Sequence, residues 1–192
     1  MTPQAVLDFW FGERGGATWG QPHREWFVKS AAFDAEIRQR FGDAIARGVA
    51  GGLREWDAGG PEPTLARILV LDQFTRNAYR DTPSAFFGDA LALTAARKLV
   101  DSGADEKLAP LQRAFVYLPF EHAEDAGSQE RAVELFARLA AGHPGFDDML
   151  DYAHRHRDVI ARFGRFPHRN AILGRASTAE EIAFLREPGS RF

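Results

Sequence analysis

Three stretches of this chain place polar side chains where helical spacing calls for apolar ones, and these can carry chemistry. In the first, Asp72, Gln73, Arg76 and Asn77 follow the apolar run 65–71. Asp72 lies three and four residues after Leu69 and Ile68, so its carboxylate continues a core-facing stripe. Arg76 stands four residues on, the favourable order for an ion pair, and Gln73 and Asn77 share that spacing. A carboxylate on such a face has to be paired. In the second, the stripe Leu111, Phe115, Leu118 and His122 turns the His122 imidazole inward, with Glu121 and Glu124 beside it. Pro119 clashes with the carbonyl of Phe115, so a kink is expected, with a backbone carbonyl left free near His122. In the third, Tyr152, His156, Val159, Ile160 and Phe163 form one stripe, which faces His156 inward and His154 outward. Gly164 ends that helix, Arg165 follows, and Pro167 holds Phe166 extended and crowds His168, Arg169 and Asn170 onto a loop, where sites tend to be built.

The residue types indicate acid–base and anion chemistry. His122, His168, Glu121 and Glu124 are the candidate general acids and bases. Arg165, Arg169, Asn170, Asp72, Gln73, Arg76, Asn77 and His156 are the candidate ligand-binding residues. The histidines and glutamates are also ligand types for zinc, manganese or iron. Their spacings, 34 and 12 residues between successive histidines 122, 156 and 168, carry no metal signature. A hydrogen-bonded buried histidine network is the favoured reading, metal content stays open, and nothing requires a cofactor. For Asp72 with Arg76, structural pairing is favoured over ligand binding; for His168, Arg169 and Asn170 the two readings balance. Trp10, Trp19, Trp26 and Trp56 read as core residues rather than an aromatic cage.

Charge sorts with these segments. Residues 121–134 hold five acids against one arginine, and residues 151–175 hold six arginines against two aspartates. The two stretches can pair within the fold, or they can line a cleft that holds an anion at one wall and moves protons at the other.

Several chemistries are excluded by inventory. There is no cysteine, hence no thiol nucleophile and no thiolate metal site. Neither a nucleophile-elbow serine motif, a phosphate-binding glycine loop nor a zinc-protease helix motif occurs. His156-Arg157-Asp158 echoes a kinase loop, but it lies within a helical pattern and the other kinase motifs are missing. The net charge of −3 is the wrong sign for a general nucleic-acid or anionic-membrane binder, and no run approaches the ~20 apolar residues of a membrane helix. Neither partner is expected. Asp8 interrupts the apolar start and no basic segment precedes it, so a secretory signal is not expected and a cytoplasmic location is.

The elements that must position these groups are helical throughout. Thr2-Pro3 opens a first helix that Gly12 closes. Trp26 and Phe27 lie in a short second segment. Phe33, Ile37, Phe41, Ala44 and Ile45 mark a long amphipathic helix reaching Gly51-Gly52. Thr64 to about Ala78, Thr82 to near Gly103, Pro110 to Asp125, Ser128 to Ala141 and Asp147 to Phe163 follow, and Thr178 with Glu181 forms a capping box for a last short helix. No stretch alternates as a strand does. The expectation is one all-α domain over residues 1–192, of antiparallel hairpins stacked as in tetratricopeptide repeats. Ala132, Phe136 and Pro144 fit the second helix of such a repeat, without the first-helix signature.

Read together, Val6-Leu7-Asp8-Phe9-Trp10-Phe11-Gly12, Phe33-Asp34-Ala35-Glu36-Ile37-Arg38, Leu71-Asp72-Gln73-Phe74-Thr75-Arg76-Asn77, Tyr117-Leu118-Pro119-Phe120-Glu121-His122 and Gly164-Arg165-Phe166-Pro167-His168-Arg169-Asn170 resemble the bacterial family catalogued as domain of unknown function 924. The tail from Glu180 to Ser190 resembles it too. Thr75 stands where Pro or Ser is expected, and Ala123 replaces a usual Ser, removing a hydroxyl beside His122. The resemblance implies a tetratricopeptide-like helical fold and no established reaction. Its motifs coincide with the three polar clusters.

Three readings follow. One is a binding module whose Arg- and His-lined cleft takes a small anion or an acidic peptide. A second is a hydrolase or lyase, with His122 or His168 as general base and Arg165 or Arg169 holding an anion, with or without metal assistance. The third is a structural protein whose polar clusters fix helix register or a homodimer; the oligomeric state is open. The first is preferred because no nucleophile is evident.

Overall fold

A computed structural model describes residues 1–26 and 28–190; Phe27 lies outside the described residues. Every regular element among them is helical: α1 (Pro3–Phe11), α2 (Ala31–Val49), α3 (Pro61–Leu69), α4 (Thr75–Ala78), α5 (Asp89–Asp101), α6 (Pro110–Glu121), α7 (Ala126–Gly142), α8 (Asp147–Phe163) and α9 (Ala179–Phe184), with short 3-10 turns and one π-turn between them. No helix among these residues is long and apolar enough to cross a membrane.

Contacts divide the chain into two units: Met1–Arg80 with Ser84–Pro119, and Asp81–Pro83 with the chain from Phe120 onward. The first is built on aromatic rings. Phe9 stacks on Phe33 at 5.2 Å, Trp10 on Trp26 at 5.6 Å, and Phe115 stands edge-on to Trp26 at 4.8 Å. Burying such rings and their mutual edge-to-face contacts dominates the stability of this unit. Trp10, Trp26 and Trp56 are buried as core residues, but Trp19 is 38% exposed. The apolar stripe of α2, Ile37, Phe41, Ala44 and Ile45, is buried, and so is the whole of α3 from Leu65 to Leu69.

After α3 the helix widens into a π-turn, Val70–Phe74. A wider turn displaces backbone carbonyls, and side chains satisfy them here. The Thr75 hydroxyl donates to the Leu71 carbonyl at 2.8 Å, and Arg76 Nη1 to that of Asp72 at 2.8 Å. The π-turn changes the expected pairing. Asp72 and Arg76 do pair, at 3.0 Å. Gln73 and Asn77 do not: Gln73 Nε2 donates to Asp72 Oδ2 at 2.5 Å, while Asn77 Nδ2 turns to Asp34 at 2.9 Å.

Helix starts and stops follow their capping groups. Thr2 caps α1, and Thr178 with Glu181 forms the expected reciprocal box on α9. The helix expected from Thr82 begins instead at Asp89, after a 3-10 turn at Pro83–Phe86. That expected to reach Asp125 stops at Glu121, because Asp125 serves as the N-cap of α7, accepting from the Ser128 N–H at 2.8 Å. In the second unit α7 and α8 are packing neighbours, and Val159, Ile160 and Phe166 form a core flanked by Phe163 and Phe184.

Candidate functional site

The second and third polar stretches meet in the second unit, around the ring of Phe166, which is fully buried. The Arg169 guanidinium lies 4.5 Å from the ring centre, His168 is tilted against it at 5.6 Å, and His156 meets it edge-on at 5.4 Å. A guanidinium over a ring face is attracted by its quadrupole, so Phe166 helps hold a charge that is only 6% exposed. The elements make this convergence. α8 presents His156 from its inward stripe, a left-handed Gly164 at the end of α8 reverses the chain, and a 3-10 turn at Pro167–Arg169 stacks His168 and Arg169 back toward α8.

His156 Nδ1 lies 2.9 Å from the Tyr152 carbonyl and 3.1 Å from Glu121 Oε1. Both are acceptors, so Nδ1 carries the hydrogen of the neutral ring. Tyr152 contributes its backbone rather than the apolar stripe expected of it; its ring is 49% exposed. Burial pushes His156 down to about 3, aided by the charges of His122, Arg169 and His168 and opposed by the bond to Tyr152. Burial likewise pushes His168 down to about 4, with Arg169, His122 and Arg175 acting in the same sense and Glu124 against. His156 and His168 therefore both feel the charges of His122 and Arg169. At neutral pH the imidazoles of His156 and His168 are uncharged.

Glu124 reaches this group already occupied. Arg175 grips it with two bonds, 2.6 and 2.9 Å, and the Phe166 N–H donates to it at 2.8 Å. Burial alone would raise its carboxyl, but those bonds and the charges of Arg175 and Arg169 hold it below the usual range. Asn170 and Arg165 are committed elsewhere. Asn170 accepts from Arg175 Nε at 2.9 Å and donates to Ser177 at 3.0 Å. Arg165 holds Glu181 through bonds of 2.7 and 2.9 Å and keeps that carboxyl down at about 2, with help from the Thr178 N–H and Asn170. These contacts commit Arg165, Asn170 and Glu124 to partners within the second unit. Among the described residues, no three of His, Asp and Glu stand together as a metal site.

Arg175 and Gln129 were not among the expected residues. Arg175 was visible only as one of six arginines. Gln129, fully buried on α7, donates through Nε2 to the carbonyls of Glu121 and Ala123, both at 2.7 Å, and so caps the end of α6 beside His122. Gln129→Leu keeps the volume and strands both carbonyls, while also removing the buried Gln129 Oε1, which accepts no hydrogen bond. A net loss of about 2 kcal/mol is expected, measurable by chemical denaturation.

The Asp72 group belongs to the first unit and is a set of its own. Arg76 bridges Asp72 and Asp89, the latter through two bonds of 2.8 and 3.0 Å, and Arg80 grips Asp34, Asn77's partner, at 2.6 and 3.1 Å. Burial lowers the Arg76 pKa, but Asp72 and Asp89 more than reverse it. Every named group there has an internal counterpart, which fits structural pairing.

A family model described as a bacterial protein of unknown function, DUF924, matches residues 6–189. No curated protein matches the chain. A solved structure of a protein of unknown function from Agrobacterium tumefaciens is similar over 96% of both chains, with 39% sequence identity and a TM-score of 0.82.

Proposed function

Because the chain belongs to the bacterial DUF924 family, whose description assigns no reaction, we propose a function from its own geometry: the Arg169 cluster binds a small anion. What supports this reading is a buried guanidinium packed on the Phe166 ring, with the neutral imidazoles of His156 and His168 against the same ring. An anion entering here meets a fixed positive charge in low dielectric, where Coulomb attraction is strong. It also offsets the Arg169 field at His156 and His168, so their proton affinity rises and each imidazole gains a second donor.

The hydrolase or lyase alternative is the weaker one. Glu121 orients His156 as a carboxylate orients a catalytic base, but a base near 3 is poorly matched to neutral pH. The reading extends to helical hairpins of the tetratricopeptide type and to a cytoplasmic location, supported by the four-residue return between α7 and α8 and by a chain without cysteine.

The test is a panel of acetate, succinate, phosphate and sulfate, followed by thermal shift and calorimetry. At least one of them is expected to raise Tm in the native protein, and Arg169→Gln to weaken it by about tenfold or more. Arg165→Gln, which removes equal charge from a committed pair, serves as the control and should bind as before. If no anion shifts melting, or if Arg169→Gln binds like the native protein, the reading fails.

A further inference from the structure

A recess of about 200 Å³ lies in the first unit, between the start of α3 and the last turns of α5. Its lining includes Asp57, Pro61, Ala95, Lys98, Leu99 and Ala104, and it shares no residue with the Arg169 cluster. Pockets for drug-sized molecules measure roughly 300–1,000 Å³, so an occupant here is small.

Behind the recess stands an ion pair that is only half made. Arg67, on α3, is 5% exposed, and a guanidinium so placed needs a carboxylate. Asp57, from the 3-10 turn Arg54–Gly59, supplies it: Arg67 Nη1 donates to Asp57 Oδ2 at 2.6 Å. A guanidinium and a carboxylate frequently meet through two parallel bonds. Here the second is missing. Asp57 Oδ1 is buried and accepts no hydrogen bond, and Arg67 Nε is buried and donates none. A buried carboxylate oxygen without a donor carries a desolvation cost that nothing in the chain offsets.

A molecule in the recess can reach this carboxylate. The Asp57 side chain is 28% exposed and forms part of the lining. The terminal torsion of an aspartate is broad, so a small turn of the carboxylate brings Oδ1 to the recess while Oδ2 keeps Arg67. Lys98 stands exposed on α5 in the same lining and pairs with no acid among the described residues, Asp57 included. Two charges of opposite sign thus border one recess without meeting. Pro61, Ala95 and Leu99 give it an apolar surface. A lone amine would suit Asp57 and be repelled by Lys98; a lone carboxylate would suit Lys98 and be repelled by Asp57. A molecule that carries both groups suits both.

We infer that this recess binds an α-amino acid with an aliphatic side chain: its ammonium donates to Asp57 Oδ1, its carboxylate pairs with Lys98, and its side chain lies on Ala95 and Leu99. Arg67 holds the Asp57 carboxylate before the ligand arrives, which lowers the ordering cost of binding.

The test is calorimetry and thermal shift on the native protein, with L-leucine and three relatives of the same branched skeleton. Isoamylamine lacks the carboxylate, isocaproate lacks the ammonium, and leucate, the hydroxy acid, offers Asp57 an uncharged donor. L-Leucine is expected to raise Tm and to bind with Kd below about 1 mM, and each relative to bind about tenfold more weakly or worse. Absence of leucine binding overturns the proposal, as does amine or acid alone binding as tightly as leucine. Leucate binding as tightly would overturn the role of the ammonium.

Asp57→Asn leaves the buried Arg67 guanidinium without its counter-charge and endangers the fold, so the deciding variants lie elsewhere. Lys98→Gln, at an exposed position, should melt like the native protein and weaken leucine about fivefold. Ala104→Leu, at a half-buried position of the lining, fills the recess and should weaken leucine about tenfold or more, while an anion bound at Arg169 is unaffected. Leucine binding unchanged by Ala104→Leu would refute the site; binding unchanged by Lys98→Gln would refute the part given to Lys98.

Discussion

Lowering the pH from 6.5 to 4.5 is expected to remove on the order of 4–5 kcal/mol of stability, most of it above the range in which the carboxylates titrate. The cause is the pair of imidazoles against Phe166. In the unfolded chain both protonate near 6.5; in the fold they wait until about 3 for His156 and about 4 for His168. Between those limits the unfolded state holds up to two more protons, so stability falls as pH falls, by about 2.7 kcal/mol per pH unit when both contribute. Glu181, held at about 2 by Arg165, adds a loss of the same sign, but only below its ordinary value near 4.5. The windows therefore separate. Denaturant titrations at fixed pH should give the steep limb above pH 4.5, and His156→Asn, which can still donate to the Tyr152 carbonyl, should roughly halve its slope. A curve flat from pH 7 to 5 would mean that the imidazoles are not held neutral. The proposed anion, by raising both affinities for protons, should flatten the same limb, which ties the stability measurement to the binding one.

Gly88→Ala should be among the most damaging single-methyl changes in the chain. A Cβ built at Gly88 falls 2.0 Å from the Leu71 carbonyl oxygen and under 3.0 Å from two more Leu71 backbone atoms. No rotamer relieves a clash between a Cβ and backbone. Nor is φ at issue, for Gly88 sits at −89°. The cost is one of space. Leu71 belongs to the π-turn, where the Thr75 hydroxyl already holds its carbonyl, so moving it breaks that bond and shifts Asp72 with it. A loss of about 3 kcal/mol or more is expected, or roughly 10 °C in Tm for a chain of this size. Gly42→Ala, at a helical glycine with open space around it, is the matched control and should be neutral or slightly stabilising. Equal melting of the two variants would contradict the close approach of α5 to the π-turn.

Gly88 also marks where local reading stops. The helical stripes of α2 and α8, the Thr2 cap, the Thr178 box and the Asp72–Arg76 pair are all set by residues at most five apart, and such contacts can be read from spacing alone. The Gln73–Asn77 pair failed for a related reason. The same spacing rule was applied across a π-turn that nothing in the local pattern announces, and Asp34, 43 residues away from Asn77, took the amide.

Within the second unit the division is sharper. Sequence by itself determined that His122, His156, His168 and Arg169 stand on inward faces or a constrained loop, because helical periodicity and Pro167 act over a few residues. Only the tertiary structure decided which partners the neighbouring polar groups take. Arg175 reaches back 51 residues to Glu124, Arg165 goes forward 16 to Glu181, and Gln129 closes the end of α6. A guanidinium has the same chemistry whether it is bound or unbound, so its role is fixed by the partner that folding brings to it.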